Sequence, residues 1–154
     1  MNVTDRLKLF PPQKDFLLVI LHDLQNQHPQ QYLPREHLEQ VAMYLNMTMS
    51  AVYGVVSYYS MFSLTPRGKH LIRICKSPVC CIEGALPLID YLKQKLGIGV
   101  GETTSDGQFT LETSECLGKC EISPGLLINE KYYGNLTASR LDSILNRLRE
   151  ISSD

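Results

Sequence analysis

The sequence predicts an α+β protein in which a bundle of helices precedes a small mixed sheet. From Pro12 to about Phe62, apolar residues recur with the 3.6-residue period of amphipathic helices. After Pro66, short alternating runs separated by helical stretches follow the order β, α, β, β, α, which is typical of a mixed sheet with helices packed on it. We therefore expect two domains, residues 1–66 and residues 67–154.

Three helices are predicted in the first domain. The first follows a Pro-Pro pair that suits a helix start, and the second has Pro34 in its first turn. The third runs from Thr48, as N-cap, through Phe62. The side chains expected to face inward are, helix by helix, Phe16, Leu17, Ile20, Leu21 and Leu24; Leu38, Val41, Ala42 and Leu45; and Val52, Val55, Val56 and Tyr59.

Three strands and two helices are predicted in the second domain. The strands are "KHLIRICK" (69–76), "GQFTLETSE" (107–115) and "GLLINEKYYG" (125–134), each flanked by turn residues. A helix is expected over residues 83–96, and a last helix begins after Thr137 as N-cap. The expected inward faces are Leu86, Ile89, Leu92 and Leu96 in the first of these, and Leu141, Ile144, Leu145, Leu148 and Ile151 in the second.

The charge balance argues against nucleic acid and membrane as partners. The chain has 15 basic and 16 acidic residues, so no excess draws it to a polyanion. Residues 37–59 have the spacing of a helix-turn-helix, but the second helix lacks the Lys and Arg that phosphate binding requires. The longest apolar run, "FLLVIL" at 16–21, is far below the ~20 residues that span a bilayer. We expect a cytoplasmic protein without membrane insertion, located at the cytoplasmic face of the membrane if it belongs to a larger complex there.

One long segment carries no charge. The 27 residues from Gln40 to Pro66 lack any charged side chain and contain four of the five methionines and four of the eight tyrosines. Such a segment is either buried in the protein's own core or covered by another subunit, since flexible Met and amphipathic Tyr suit an interface. We expect a mixture of both, and therefore a protein that works with a partner.

The five cysteines lie in two groups. Cys75 and Cys80 form a C-x4-C pair, and Cys116 and Cys120 form a C-x3-C pair after 35 intervening residues. An odd cysteine count in a reducing compartment favours metal ligands or catalytic thiols over disulfides. One pair at a strand end and its following loop, with a second pair from another loop, can complete a tetrathiolate.

Several occupants fit such a tetrathiolate. Structural zinc more often uses C-x2-C knuckles, and a thioredoxin-like redox pair uses C-x-x-C. A [2Fe-2S] cluster has two irons that each take two thiolates, so wider loops are natural and the spacing favours it. A zinc-binding scaffold subunit and buried or redox-active thiols remain alternatives. A cluster of about −2 charge also needs nearby cations and N–H groups, for which the candidates are Arg73, Lys76, Lys119, Gly84 and Gly118.

Several motifs together resemble one known family. They are "VYGVVSYYSMF" (52–62), "PRGKH" (66–70), "GETTSDGQFTLE" (101–112) and "ECLGKCE" (115–121), with Cys75 and Cys80. They closely resemble the thioredoxin-like [2Fe-2S] ferredoxin family. This family includes the 24 kDa subunit of NADH:quinone oxidoreductase and homologous small subunits of NAD(P)-reducing or electron-bifurcating hydrogenases and NAD-linked formate dehydrogenases. The resemblance extends from about Phe10 to Leu148.

The resemblance implies a function for each domain. It implies an N-terminal helical bundle that binds a partner, followed by a thioredoxin-like domain in which Cys75, Cys80, Cys116 and Cys120 bind one [2Fe-2S] cluster. FMN and NAD(P)(H) would belong to a 51 kDa-type partner subunit, beside further iron–sulfur or catalytic subunits. The cluster would exchange single electrons with the flavin, and no catalytic residue is expected on this chain. Cys81 departs from the family pattern, and the spacing favours Cys80 as the ligand, with Cys81 as a buried bystander.

Overall fold

The computed structural model describes residues 2–151, apart from the side chain of Ile151, so the predicted inward position of that residue lies outside the described part. The chain divides into two compact units, Met1–Arg67 and Gly68–Asp154. Between residues 2 and 151, no helix has the length and apolar character needed to span a membrane.

The first unit is helical, as predicted, and over the described residues 2–67 it has one α-helix more than the sequence indicated. Its α-helices are α1 Val3–Leu7, α2 Leu17–Gln27, α3 Arg35–Tyr44 and α4 Met49–Tyr58. α1 was not predicted, because five residues are too few to show a helical period. A 3₁₀ turn, Lys14–Phe16, precedes α2, and Pro34 is the N-cap of α3 instead of lying within its first turn. The core of this unit includes Ile20, Leu21, Leu33, Leu38, Val41 and Val52.

The end of α4 differs from the prediction. Thr48 is the N-cap, as expected, and its Oγ1 accepts the N–H of Ala51 at 3.2 Å. The helix ends at Tyr58 and not at Phe62, and the side chain of Tyr59 is 37% exposed instead of facing inward. A turn follows in which the N–H of Phe62 donates to the carbonyl oxygen of Tyr59. Because the chain turns here, the Phe62 ring packs in the core of the first unit.

The second unit is a four-stranded mixed sheet with helices, which confirms the predicted α+β class. Its strands are β1 His70–Cys75, β2 Phe109–Ser114, β3 Leu126–Ile128 and β4 Lys131–Tyr133, in the spatial order β2-β1-β3-β4. β1 and β2 are parallel, and the other neighbouring pairs are antiparallel. Its helices are α5 Pro78–Ile82, α6 Ala85–Leu96 and α7 Ala138–Ile151.

Residues 125–134, predicted as one strand, form a hairpin instead. β3 and β4 are joined by Asn129 and Glu130, and Ile128 pairs with Lys131 across the turn. Asn129 has φ of 53°, the left-handed conformation that tight hairpin turns require and that Asn adopts readily. Its Oδ1 also accepts the N–H of Leu71 at 2.9 Å, which fixes the turn against β1.

One face of the sheet carries the core of the second unit. The inward residues of the strands are Ile72, Ile74, Phe109, Leu111, Leu126 and Ile128, and α6 and α7 pack against them. The predicted inward position of Leu86 is wrong, because its side chain is 54% exposed and Leu88 is buried in the same helix. Thr137 caps α7 as predicted, accepting the N–H of Arg140 at 3.2 Å.

Candidate metal centre

Cys75 ends β1 and is buried. Its Sγ lies 3.2 Å from the Ser77 Oγ. Burial opposes ionisation of this thiol, but hydrogen bonds from the Ser77 hydroxyl and N–H, from Cys80 and from the Leu117 N–H together lower the pKa of Cys75. The strand end is therefore an environment that stabilises a thiolate.

Cys80 lies on the short helix α5, not on a loop as predicted. Ser77 is the N-cap of this helix and Pro78 is its first residue. Ser is a preferred N-cap and Pro a preferred first helical residue, so this Ser-Pro pair is a helix-start signal in the sequence. The Cys80 side chain is buried, and its Sγ is 3.5 Å from the Ser123 Oγ. The helix thus directs Cys80 toward Cys75 and the segment after Cys120.

The second cysteine pair reaches the same edge of the sheet through the parallel pairing of β1 with β2. Cys75 pairs with Ser114, so the loop that follows β2 leaves the sheet beside the loop that follows β1. In this loop the Sγ atoms of Cys116 and Cys120 are 3.6 Å apart, and both residues are exposed. Gly118, with φ of 76°, donates its N–H to the Cys116 Sγ at 3.3 Å. Glycine adopts this conformation without steric cost.

The thiol of Cys120 lies close enough to the other three thiols for their negative charges to raise its pKa. The pKa of Cys120 is raised first by its hydrogen bond with Cys116 and by the negative charge of that thiol. Burial and the charges of Cys80 and Cys75 raise it further. As the side chains lie, no three His, Cys, Asp or Glu residues of the described range 2–151 form a group that could hold a metal ion. The thiols are arranged as two pairs, one from the end of β1 and helix α5 and one from the loop after β2.

Paired thiols with N–H donors suit a metal centre ligated by thiolates. Two thiolates on one tetrahedral metal, with metal–sulfur bonds of about 2.3 Å, are separated by about 3.8 Å, close to the 3.6 Å between the Cys116 and Cys120 Sγ atoms. The N–H groups of Leu117 and Gly118 point at Cys75 and Cys116. Such donors compensate the negative charge of a thiolate cluster.

Arg73, Lys76 and Gly84 were also proposed from the sequence to balance the charge of a cluster, but each has another partner in the protein. The Arg73 guanidinium pairs with Glu112 at 3.1 Å, and Lys76 lies 3.7 Å from Glu115. Their charges are therefore largely compensated within the protein. The N–H of Gly84 donates to the carbonyl oxygen of Cys81 and not to sulfur, so its expected role is wrong.

The contacts of sulfur also include residues that the sequence did not single out. Ser77 and Ser123 place hydroxyls beside Cys75 and Cys80, and Leu117 contributes an N–H and packs against the same thiols. The Ser-Pro pair at residues 77 and 78 is a sequence signal for the position of Ser77. No comparable sequence pattern marks Ser123, which follows Cys120 by three residues and donates to its carbonyl oxygen at 2.8 Å.

A mixed sheet covered by helices on one face, with two thiol pairs beyond the ends of β1 and β2, is the arrangement of a small α+β protein whose cysteines are candidate metal ligands. The sequence profile of the thioredoxin-like [2Fe-2S] ferredoxin family matches residues 3–149, and the chain belongs to this family. The cofactor of the family is a [2Fe-2S] cluster, in agreement with the expectation from the cysteine spacing.

The chain is similar to components of two kinds of oxidoreductase. It is 34% identical over 144 residues to the NADP-reducing hydrogenase subunit HndA of Solidesulfovibrio fructosivorans, covering 94% of this chain and 83% of that protein. It is 37% identical over 140 residues to a subunit of the NADH-quinone oxidoreductase of Rhizobium meliloti (strain 1021), covering 91% and 82%. It is also 35% identical over 146 residues to a subunit of the NADH-quinone oxidoreductase of Aquifex aeolicus (strain VF5), covering 95% and 90%.

A solved structure shares the fold. An NAD⁺-reducing [NiFe]-hydrogenase in its H₂-reduced state aligns with 91% of this chain at a TM-score of 0.78 and 21% sequence identity. The chain spans only 23% of that hydrogenase chain. At this identity the likeness concerns the fold.

Proposed function

We propose that the chain is an electron-transfer subunit that binds one [2Fe-2S] cluster through Cys75, Cys80, Cys116 and Cys120. It exchanges single electrons with the FMN- and NAD(H)-binding subunit of an NAD(P)H-linked oxidoreductase. This proposal rests on one observation, the two thiol pairs that lie at the same edge of the sheet. In one of them, the Sγ atoms of Cys116 and Cys120 are 3.6 Å apart.

The two halves of the site differ in exposure, and the difference suits electron transfer. When bound, the cluster supplies a group that gains or loses one electron at a time. Cys75 and Cys80 are 1% and 3% exposed and keep water from one side of the site. Cys116 and Cys120 are exposed, so the other side is open to a partner. The N–H groups of Leu117 and Gly118 stabilise negative charge on sulfur.

The helical unit offers a surface for that partner. Within the charge-free segment, the side chains of Met43 and Tyr58 are 75% and 82% exposed, and Tyr53 is 49% exposed. Large exposed Met and Tyr side chains are enriched where another protein covers a surface. We therefore assign partner binding to residues 1–66 and the cluster to residues 67–154.

The parent complex is inferred from the relatives. Proteins named as subunits of an NADP-reducing hydrogenase and of NADH-quinone oxidoreductases resemble this chain over most of its length. Both names specify a nicotinamide nucleotide, which supports an NAD(P)H-linked partner. The proposed location is the cytoplasm, where thiols stay reduced and available as ligands.

Metal analysis tests the cluster assignment. The chain is purified without oxygen, or reconstituted with ferrous iron and sulfide, and its iron, sulfide and zinc are measured together with its visible absorbance. We expect a brown protein with about two irons and two sulfides per chain, and a paramagnetic signal after one-electron reduction. A colourless protein with one zinc per chain would establish the structural-scaffold alternative instead.

Co-purification tests the electron-transfer assignment. The tagged chain is isolated from its native cells, and the proteins bound to it are identified and assayed for FMN. We expect a flavoprotein partner, and reduction of the cluster by NADH or NADPH only when that partner is present. Direct reduction of the isolated chain by either nucleotide would contradict the proposal that the nucleotide site lies on the partner.

A further inference from the structure

Tyr132 lies on the sheet face opposite to the hydrophobic core. Side chains alternate along a strand, so the neighbouring Tyr133 points to the other face. Tyr133 packs against the core of the second unit, and its hydroxyl is 3.5 Å from Arg147 on α7. Tyr132 therefore shares its face with Gly125 on the adjacent chain segment and with Cys75 at the end of β1.

Gly125 provides the space that the Tyr132 hydroxyl occupies. A Cβ atom at position 125 would lie 1.8 Å from the Tyr132 Oη, a separation at which atoms overlap. The carbonyl oxygen of Gly125 accepts the N–H of Cys75 at 3.1 Å. The Tyr132 hydroxyl is therefore held directly beside the backbone segment that positions Cys75.

The same hydroxyl reaches the second cysteine loop. Tyr132 Oη donates to the carbonyl oxygen of Lys119 at 3.3 Å, and Lys119 immediately precedes Cys120. Burial raises the pKa of Tyr132, and the negative charges of Cys80 and Cys75 raise it further, as expected for a phenol beside thiolates. One side chain thus joins the segment behind Cys75 to the segment before Cys120.

We propose that Tyr132 is a positioning residue that holds the loop of residues 116–120 against Cys75 and Cys80, so that the two thiol pairs face one another. This inference rests on the proposed function, because it concerns the same site. It assigns to β4 a role that no cysteine motif indicates. Gly125 and Tyr132 act as a matched pair in this role, since a side chain at position 125 would displace the ring.

Cluster retention in Tyr132→Phe tests the proposal, with Tyr133→Phe as the matched control on the same strand. Both variants are loaded with iron and sulfide, and the loss of cluster absorbance to a chelator is followed. We expect loss about three- to tenfold faster in Tyr132→Phe, the factor by which one lost hydrogen bond favours an open loop. Visible circular dichroism of the loaded protein, which reports the geometry at iron, should change in Tyr132→Phe and not in Tyr133→Phe.

A second measurement does not depend on the cluster. In the apoprotein, the rate at which iodoacetamide modifies the buried Cys75 is measured by mass spectrometry. We expect a similar three- to tenfold increase in Tyr132→Phe, because release of the loop removes Leu117 from its contact with Cys75 and exposes that thiol more often. A wild-type chain that binds no cluster would refute the proposed function, and the modification rate would still decide the role of Tyr132. Retention, dichroism and modification rates equal to wild type would overturn the inference.

A double-mutant cycle tests the matched pair. Gly125→Ala should lower the melting temperature of the apoprotein markedly when Tyr132 is present, and by much less in a Tyr132→Ala background, where the overlapping hydroxyl is absent. Equal effects of Gly125→Ala in both backgrounds would show that the ring does not depend on Gly125.

Discussion

Cys81 donates its thiol hydrogen to the backbone carbonyl oxygen of Lys76, 3.2 Å away. Successive residues on a helix point about 100° apart, so the sulfur of Cys81 turns back toward the strand end. The sulfur of Cys80, one residue earlier on α5, is buried beside Ser123. The two adjacent thiols thus have separate surroundings.

This separation predicts different results for two serine variants. Cys81→Ser should retain about two irons per chain and the wild-type absorbance, because a hydroxyl can still donate to the Lys76 carbonyl oxygen. Cys80→Ser should lose the cluster or bind it weakly, as should Cys75→Ser. Iron content and visible spectra measure the effect. If Cys80→Ser and Cys81→Ser both keep an unchanged spectrum while Cys75→Ser loses it, the neighbouring thiols exchange as ligands.

Two leucines on α6 should contribute very differently to stability. The side chain of Leu92 is fully buried in the core of the second unit, whereas that of Leu86 is 54% exposed. Leu92→Ala should lower the free energy of unfolding by about 2–5 kcal/mol, through lost burial and the cavity that remains. The control Leu86→Ala should change it by no more than about 0.5 kcal/mol. Urea denaturation of the apoprotein compares them, and equal losses would contradict the observed orientation of α6.

Asp142 should make stability depend on pH in the acid range. The side-chain hydrogen bond from Lys95 and then that from Tyr91, at 2.9 and 2.7 Å, lower the pKa of Asp142 below its ordinary value of 3.8. Ionised Asp142 therefore stabilises the fold fully above the unfolded-state pKa, and this stabilisation is lost as the pH falls through the lower folded-state pKa.

The measurement compares wild type with Asp142→Asn by thermal unfolding across that range. The stability advantage of wild type should be constant near neutral pH and should shrink below pH 3.8. An advantage that is the same at all pH values would mean that the carboxylate charge is not involved. Asp90→Asn, which removes an exposed pair with Lys93 on α6, serves as a surface control and should have little effect.

New charges on the charge-free segment should block partner binding without affecting the cluster. Met43 and Tyr58 are the most exposed large apolar side chains there, so Met43→Lys with Tyr58→Lys would bury two cations in a complex. We expect loss of the co-purifying partner with iron content unchanged. Leu9→Lys places one charge at a 63% exposed position outside the segment and should leave the complex intact. Partner binding that survives both lysines would place the interface elsewhere.

Hydrophobic periodicity predicted the helices that have a long apolar face. It failed where tertiary packing determines which side chains are buried. The α+β class, β1 and the caps Thr48 and Thr137 followed from local chemistry that the structure confirms. The inward position of Leu86 did not, because Leu86 and Leu88 lie at opposite margins of the stripe formed by Ile89, Leu92 and Leu96. Tertiary packing decides which margin is buried, and here it is the one that carries Leu88.

The sequence proposes a set of ligand residues and not their geometry. The spacing of the cysteines indicates two pairs, but the parallel register that brings Ser114 beside Cys75 involves contacts between distant parts of the sequence. The hydroxyls of Ser77 and Ser123 and the ring of Tyr132 approach the thiols only through that register and the β3–β4 hairpin. A single sequence contains no local signal for such contacts.

The parallel pairing of β1 with β2 also bears on when the cofactor can enter. Cys75 and Cys80 are synthesised before Cys116 and Cys120, and the two thiol pairs meet only after β2 has joined β1. Iron offered to a chain that ends before Cys116 would find only two of the four proposed ligands, beside the thiol of Cys81. We therefore expect cluster insertion to follow the folding of the second unit.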